Sequence, residues 1–461
     1  MPAKANNGGI RYDRLRKIIS SKDSVVHFIG VGGVSMYSLA KMTLSLGASV
    51  TGSDLVDSER TRALSDAGAI IYKGHSAYNV ISAALVVYSS AVGENNPELI
   101  GARSRSIPTV SRAEYMGALM IGYKKRIGVS GTHGKSTTVA MLDSIFTAAM
   151  CEPSVLSGAD LQSGEPYKEG RDALLLYEAC EYKDSFLKFN PTISVALNLE
   201  YDHPDYFKSL KTLKASFARA LGRAPLTVLN GDDENLLSVA FRLKNKVVTF
   251  GQGERVDYRY SITSFLEHGY EFSVSKFNTE IGRFRLFVPG IYNVTNAVAA
   301  VVTAIEYGIN VDVIREGIAA FSGIGRRLEY IGERYGRKIY YDYAHHPTAI
   351  RCAINALKLE TGDLITVVFK PHTYSRTKSL WDGFIDALSL ADYAVITDIY
   401  AAREEPIEKV SSERLAMSIG PGAIYSLDEA VCAVVDRQTH GAIVLMGAGD
   451  FGRIKRDLLS T

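Results

Sequence analysis

The sequence predicts an α/β chain of three domains, each organised around a mostly parallel sheet. Length is the first observation: 461 residues is roughly three ordinary domains, each large enough for its own core. The second is alternation. Short apolar runs ending in glycine, acidic or hydroxyl residues take turns with stretches of helical period from Val25 almost to the C-terminus. The third is a glycine-rich loop, Gly131-Thr132-His133-Gly134-Lys135-Ser136-Thr137-Thr138, set between a strand-like and a helix-like segment. The remaining composition, 46% hydrophobic and 22% charged, is that of ordinary globular protein.

The first unit is expected over residues 1–122. Val25 to Gly33 (VVHFIGVGG) reads as a buried strand ending in a glycine turn, and Val34 to Gly47 has helical spacing. Ala48 to Asp54 is the next strand, completing a βαβ unit with an anion site at its first helix. The dinucleotide fingerprint fails at its third glycine, where Ser35 stands, so a different diphosphate-containing ligand is expected. Asp54 occupies the place of a hydroxyl contact or a turn cap. Ser89 and Ser90 follow another apolar strand and suit a phosphate rim.

Residues 123–325 form the expected central unit. In the run RIGVSGTHGKSTTVAM, glycines let backbone N–H groups turn inward, Lys135 reaches phosphate oxygens, and the Ser136 hydroxyl can ligate Mg²⁺. The common phosphate loop has a glycine where this chain has Val129; Gly131 gives a tighter G-x-x-G-K-S. Two buried strands, ALLLY and TISVALNL, end in acidic clusters, Glu178 to Asp184 and Glu200 to Asp205. Ligands of such sheets sit off the carboxyl ends of strands, so Glu178 and His203 are candidates to complete Mg²⁺ coordination. Three alternating segments from Tyr258 to Val288 predict a small antiparallel sheet with one wet face. Asn293 and Asn296, near the start of an apolar helix, suit capping or a nucleobase edge equally.

The third unit, residues 326–461, alternates strands and helices from Lys338. Its candidates follow strands: Asp342, Tyr343, His345 and His346; Lys370, His372, Ser375 and Arg376; and Gly447 to Asp450. Adjacent histidines point apart and no third ligand is evident, so His345 and His346 are read as a polar substrate wall. Arg376 suits a carboxylate or phosphate through its planar fork.

Lys and Arg number 52 against 50 Asp and Glu, so no net field advertises nucleic acid or an acidic membrane, and neither partner is expected. No stretch reaches the roughly 18 apolar residues of a membrane span, and MPAKANNGGIRYDRL lacks a signal-peptide core. Cys151, Cys180, Cys352 and Cys432 show no pairing or metal spacing; four buried free thiols in the cytoplasm are expected. A phosphate-loop ATPase flanked by two polar sites suggests ATP-driven joining of two substrates. A nicotinamide dehydrogenase is disfavoured by Ser35, and a nucleotide sensor by the number of catalytic groups.

The motifs SGTHGKSTT, EACEYKDSFL, the Asn198 to His203 pattern, N-x-x-N-A, G-R-R, YAHHPT and KPHTYSRT resemble the Mur ligases, in order, from Val25 to Gly452. The resemblance implies Rossmann-like first and third domains around a P-loop ATPase domain. It also implies ATP and Mg²⁺ as cofactors, UDP-N-acetylmuramate and L-alanine as substrates, and a monomer or weak homodimer. A relative that reattaches a recycled tripeptide to the same UDP-sugar is the alternative. By the same resemblance Lys135, Glu178, His203, His345 and Arg376 are catalytic, with Ser136, Glu178 and His203 on the metal. Gly131, Thr132, His133, Gly134, Lys135, Ser136, Thr137, Asn293, Asn296, Arg327 and Asp342 hold ATP. Gly30, Gly32, Gly33, Asp54, His75, Ser90, His345 and Arg376 face the other substrates. Tyr341, Ala344 and the run Glu181-Tyr182-Lys183 depart from the family pattern on the substrate side.

Overall fold

The fold was analysed in a computed structural model that describes residues 12–460, apart from 22, 403 and 450. The candidate Asp450 therefore lies outside the described residues. Three sheets carry the chain. The first has five parallel strands, β1 (Val25–Ile29), β2 (Ser49–Asp54), β3 (Ile70–Lys73), β4 (Leu85–Tyr88) and β5 (Thr109–Ser111), in the order β3-β2-β1-β4-β5. Its central strand β1 buries Val26, Phe28 and Ile29 completely, and His27 with them. Gly30 turns the chain into the helix Val34–Ser45 at φ +76°, a conformation glycine adopts without steric cost.

The second sheet has ten strands: β6 (Lys125–Ser130), β7 (Ser154–Leu156), β8 (Tyr167–Lys168), β9 (Leu174–Glu178), β10 (Ile193–Ala196), β11 (Leu226–Asn230), β12 (Lys246–Gly251), β13 (Tyr258–Leu266), β14 (Gly269–Lys276) and β15 (Thr279–Leu286). Their order is β15-β14-β13-β12-β11-β10-β6-β9-β7-β8, with β6 between the two strands that end in acidic clusters. The expected small antiparallel sheet exists as β13 to β15, with Phe272, Val274 and Phe284 buried. It is not separate. Two parallel pairs, Phe250 with Tyr258 and Gly251 with Arg259, join it to the parallel sheet. Behind β6, the helix Lys135–Ala148 packs on Val311–Ala320. A Cβ on Gly317 would stand 2.5 Å from the Ile145 Cα, so only glycine permits that approach.

The third sheet comprises β16 (Glu329–Arg334), β17 (Arg337–Asp342), β18 (Ile365–Phe369), β19 (Tyr393–Ile396), β20 (Ala423–Tyr425) and β21 (Ala442–Met446), in the order β16-β17-β21-β18-β19-β20. All pairs are parallel except β16 with β17, an edge hairpin ahead of the first strand foreseen at Lys338. The four cysteines are unpaired but half-buried rather than buried, a correction to the expectation; three of them sit on helices or at their ends, where one side meets solvent.

Candidate active site

Strand β6 delivers the phosphate loop. Its glycines are there for geometry: Gly131 sits at φ +145° and Gly134, the residue before the helix, at φ +84°. A Cβ on Gly134 would lie 2.4 Å from Asn296 Oδ1, so the loop closes against a neighbouring helix with no room for a side chain. The end of β10 grips the loop from the other side. Asn198 Oδ1 accepts the His133 N–H at 2.8 Å, Asn198 Nδ2 donates to the His133 carbonyl at 3.1 Å, and the Glu200 N–H donates to Thr132 Oγ1 at 2.9 Å.

Lys135 opens the helix, donates from Nζ to the Gly131 carbonyl and lies 3.3 Å from Glu181 Oε2. Burial alone would raise the Glu181 carboxyl, but Lys135 and His203 reverse this and hold it below the usual range. Burial would likewise lower the Lys135 ammonium, and Glu181 turns that into a rise. His203 Nε2 stands 3.6 Å from Glu181 Oε1, with its ring 4.7 Å from Tyr182. Its φ of +56° is a conformation that non-glycine residues rarely adopt, and such strain tends to collect at functional sites. Glu178 ends β9 and accepts the Gly158 N–H. Ser136 is buried one residue beyond Lys135. The structure thus places Lys135 and His203 on one acid, Glu181, while Glu178 is turned to a neighbouring loop.

Arg376, from the third domain, is engaged internally. Its Nε and Nη2 donate to Asp202 Oδ1 at 3.2 and 3.0 Å, and Nη1 lies 3.0 Å from His372 Nδ1. Burial would raise Asp202, but Arg376 and then the nearby histidines hold it well below the usual carboxylate range. His345 places Nδ1 2.8 Å from the Tyr343 carbonyl; burial and then Arg376 push its pKa far down. Asp342 accepts N–H groups from Leu328 and Ala344 at 2.8 and 2.7 Å, so it shapes the loop leading to His345. His346 faces groups of the central domain. Glu200 Oε2 lies 3.6 Å from His346 Nδ1 and 3.7 Å from His133 Nε2, a constellation split between domains.

Between the central and third domains lies a cavity of about 520 Å³, of the size of small-molecule sites, bordered by Thr137, Asn293, Phe321 and Arg327. Neither asparagine caps its helix. Asn293 Nδ2 donates to the Pro289 carbonyl at 2.7 Å and Asn296 Nδ2 to Asn293 Oδ1 at 3.1 Å, a relay running from the cavity to Gly134.

In the first domain Asp54 Oδ2 accepts the Gly32 N–H at 2.9 Å and so fixes the Gly30-Gly32-Gly33 turn. Asp54 also borders a cavity of about 240 Å³ with Arg62, Tyr72 and Lys73. His75 is tied inward: its Nδ1 is 2.9 Å from Glu98 Oε2 and 3.0 Å from Ser53 Oγ. Glu98 is completely buried, with His27, Ser53 and Asn79 also against it. The carbonyl of Ser90 accepts from Lys183 Nζ at 3.3 Å, linking the first and central domains.

Three family models match in succession: the Mur ligase catalytic domain over residues 25–124, the middle domain over 129–304 and the glutamate ligase domain over 326–449. The chain belongs to the Mur ligase family. As a Mur ligase it is an ATP-dependent enzyme. It is 38% identical to a Caldicellulosiruptor bescii protein named UDP-N-acetylmuramate–L-alanine ligase, over 92% of this chain and 96% of that one. A protein of the same name from Acetivibrio thermocellus is 38% identical over 96% and 97%. The crystal structure of a UDP-N-acetylmuramate–alanine ligase from Thermotoga maritima superposes with TM-score 0.81 at 27% identity, covering 94% and 97%. No helix among the described residues of this Mur ligase is long and apolar enough to cross a membrane.

Sequence reasoning did not single out Glu181, Glu200 and Asp202, the acids that tie this Mur ligase's site together. They stood within the two flagged clusters, but their cations come from residues up to 174 positions away. Glu98 had no local signal at all: one acidic residue in the first turn of a short helix.

Proposed function

We propose that the protein joins L-alanine to the lactoyl carboxylate of UDP-N-acetylmuramate at the expense of ATP. The observation that carries this reading is the near full-length match, through all three domains, to ligases that bear that name. In this reading the lactoyl carboxylate attacks the γ-phosphorus of ATP, ADP leaves, and an acyl phosphate forms. The L-alanine amine, having given its ammonium proton to water, then adds to the acyl carbon, and the tetrahedral adduct loses a second proton from nitrogen to the departing phosphate as it expels it. The amide bond forms as the acyl–oxygen bond breaks.

The chain's part is positioning and electrostatics. Phosphate-loop N–H groups and Lys135 hold the β- and γ-phosphates, with Lys135 released from Glu181 by the incoming charge. The cavity beside Asn293 and Arg327 takes the nucleoside. Gly30, Gly32, Gly33 and Asp54 support the UDP-sugar side, with Ser90 on its rim, while His345 and Arg376 border the amine side. The domain limit near residue 325 allows the third domain to swing on and off the phosphate loop. The oxygen donors of Ser136 and Glu178 suit Mg²⁺. Ser136, Glu178 and His203 would hold the ion, which would neutralise phosphate charge. The reading carries a cytoplasmic location with it, where ATP and nucleotide sugars are available.

The test is phosphate release from Mg²⁺-ATP with UDP-N-acetylmuramate and a panel of amines, alongside Lys135→Ala. Release should require L-alanine, give the amide, and fall at least 1000-fold in the variant, about 4 kcal/mol of transition-state stabilisation. Preference for a tripeptide over L-alanine would reassign the acceptor, and amine-independent release would overturn the ligase reading.

A further inference from the structure

We propose that His133, Glu200 and His346 form a second cation site that takes a borderline transition ion, of which Zn²⁺ is the type, and fastens the third domain to the phosphate loop. The three residues come from separate places: His133 from the phosphate loop, Glu200 from beyond β10, and His346 from the start of the third-domain helix Pro347–Thr361. One ligand atom from each lies within 4.8 Å of the others. Glu200 Oε2 is 3.7 Å from His133 Nε2 and 3.6 Å from His346 Nδ1. Tetrahedral zinc with nitrogen at roughly 2.0–2.1 Å sets its donors about 3.4 Å apart, so the two distances to Glu200 need a few tenths of an ångström and the separation of the two ring nitrogens, within 4.8 Å, closes by side-chain rotation.

Two further observations point to a ligand. The Nε2 atom of His133 that faces Glu200 is buried and has no hydrogen-bond partner, a costly arrangement unless something occupies it, and His346 Nδ1 receives only a long 3.4 Å approach from the Thr348 N–H. His346 is only 5% exposed, and the two rings lie 4.9 Å apart, too close for both to charge comfortably. Backbone and side chains support the ligands from outside. Thr348 Oγ1 donates to Glu200 Oε2 at 2.6 Å, and Asn198 clamps the His133 backbone through both its N–H and its carbonyl. Two imidazoles and one carboxylate are a nitrogen-rich set, which favours zinc-like ions over Mg²⁺. The set shares no residue with Ser136, Glu178 and His203.

Because His346 belongs to the third domain and His133 and Glu200 to the central one, an ion held here stabilises the docked arrangement by its own binding free energy. The test uses the full chain, stripped with chelator and free of nucleotide, titrated with Co²⁺ by visible absorption and with Zn²⁺ by calorimetry. One equivalent should bind, without the thiolate charge-transfer band that Cys180 coordination would produce, and should raise the melting temperature. His346→Ala should abolish the stoichiometric site, and Thr348→Val should weaken it about tenfold or more through loss of the supporting hydrogen bond. His203→Ala should leave it in place. Absence of binding to the wild type, a thiolate band, equal binding by His346→Ala, or loss on His203→Ala would each overturn the proposal. Should His346→Ala misfold by circular dichroism, the Thr348→Val titration decides alone, unchanged affinity counting against the site.

Discussion

The central domain meets its two neighbours by different physics. Toward the first domain an apolar cluster shared by both, with Tyr115, Met116 and Leu119 on one side and Tyr167, Phe186 and Phe189 on the other, is rimmed by polar tethers: Tyr37 to Glu165 at 2.7 Å, Lys41 to Glu165 at 3.2 Å, Arg60 to Asp160 at 3.3 Å and Ser45 to Glu169 at 2.9 Å. The acids and cations in them are about one-third exposed, where ion pairs contribute little. Toward the third domain the contact is the site itself. Asp202 and Arg376 face each other with side chains only 7% and 8% exposed, beside His345, His372 and His203. Burial of a charge pair is costly to assemble and more costly to break on one side. The difference teaches what holds each junction: apolar burial seats the first domain and tolerates loss of any one polar tether, whereas the third domain is either docked with its charges matched or not docked.

The strongest way to break this contrast is Arg376→Ala. It leaves Asp202 buried without its cation, and we expect a loss of about 3–5 kcal/mol in the stability of the docked arrangement. Amine-dependent phosphate release should drop at least a hundredfold, with a lowered thermal midpoint in the same preparation. Arg376→Lys should recover only part, because a point charge cannot reproduce the fork that reaches Asp202 and His372 together. A change of twofold or less would erase the distinction between the two junctions.

A smaller effect comes from pH. Burial and then Arg376 lower the His372 pKa to about 4, against about 6.5 for the free side chain. Below about 6.5 the unfolded chain takes up the proton first, so stability present above that pH is lost as pH falls through 4. Denaturant midpoints between pH 7.5 and 4.5 should therefore decline more steeply in the wild type than in His372→Asn. Parallel slopes would detach His372 from the effect.

The smallest changes belong to the first junction. Arg60→Ala should cost about 0.2–1 kcal/mol, and less in high salt, with turnover within twofold of wild type. Tyr37→Phe keeps its buried ring and removes only the hydroxyl, so about 1 kcal/mol is expected. A tenfold fall in turnover from either would show that the polar rim of this junction, and not only its apolar cluster, governs activity.

The same contrast explains what the sequence disclosed. The phosphate loop was legible because its chemistry is contiguous: Gly131, Gly134, Lys135 and Ser136 lie within six successive positions where a strand passes into a helix. The parallel strands announced themselves as apolar runs. The edge strand β16, EYIGER, did not, since it is charged, contains a glycine and pairs on one side only. Continuity of β12 with β13 rests on two residue pairs, which no local period records. Asp202 with Arg376, and Glu200 with His133 and His346, required the docking of one domain on another before their chemistry could be seen.

Lys135 and Glu181 have one more consequence. The lysine never waits as a bare charge; it is held by an acid at 3.3 Å and by the Gly131 carbonyl. Arrival of a triphosphate is thus a displacement, in which one anion replaces another around a cation that is already in position. Affinity for nucleotide reports the difference between the two partnerships, while the cost of ordering a long flexible side chain has been met in folding. Glu181→Gln, by weakening the resident partner, should tighten nucleotide binding and loosen the control over when that lysine is offered.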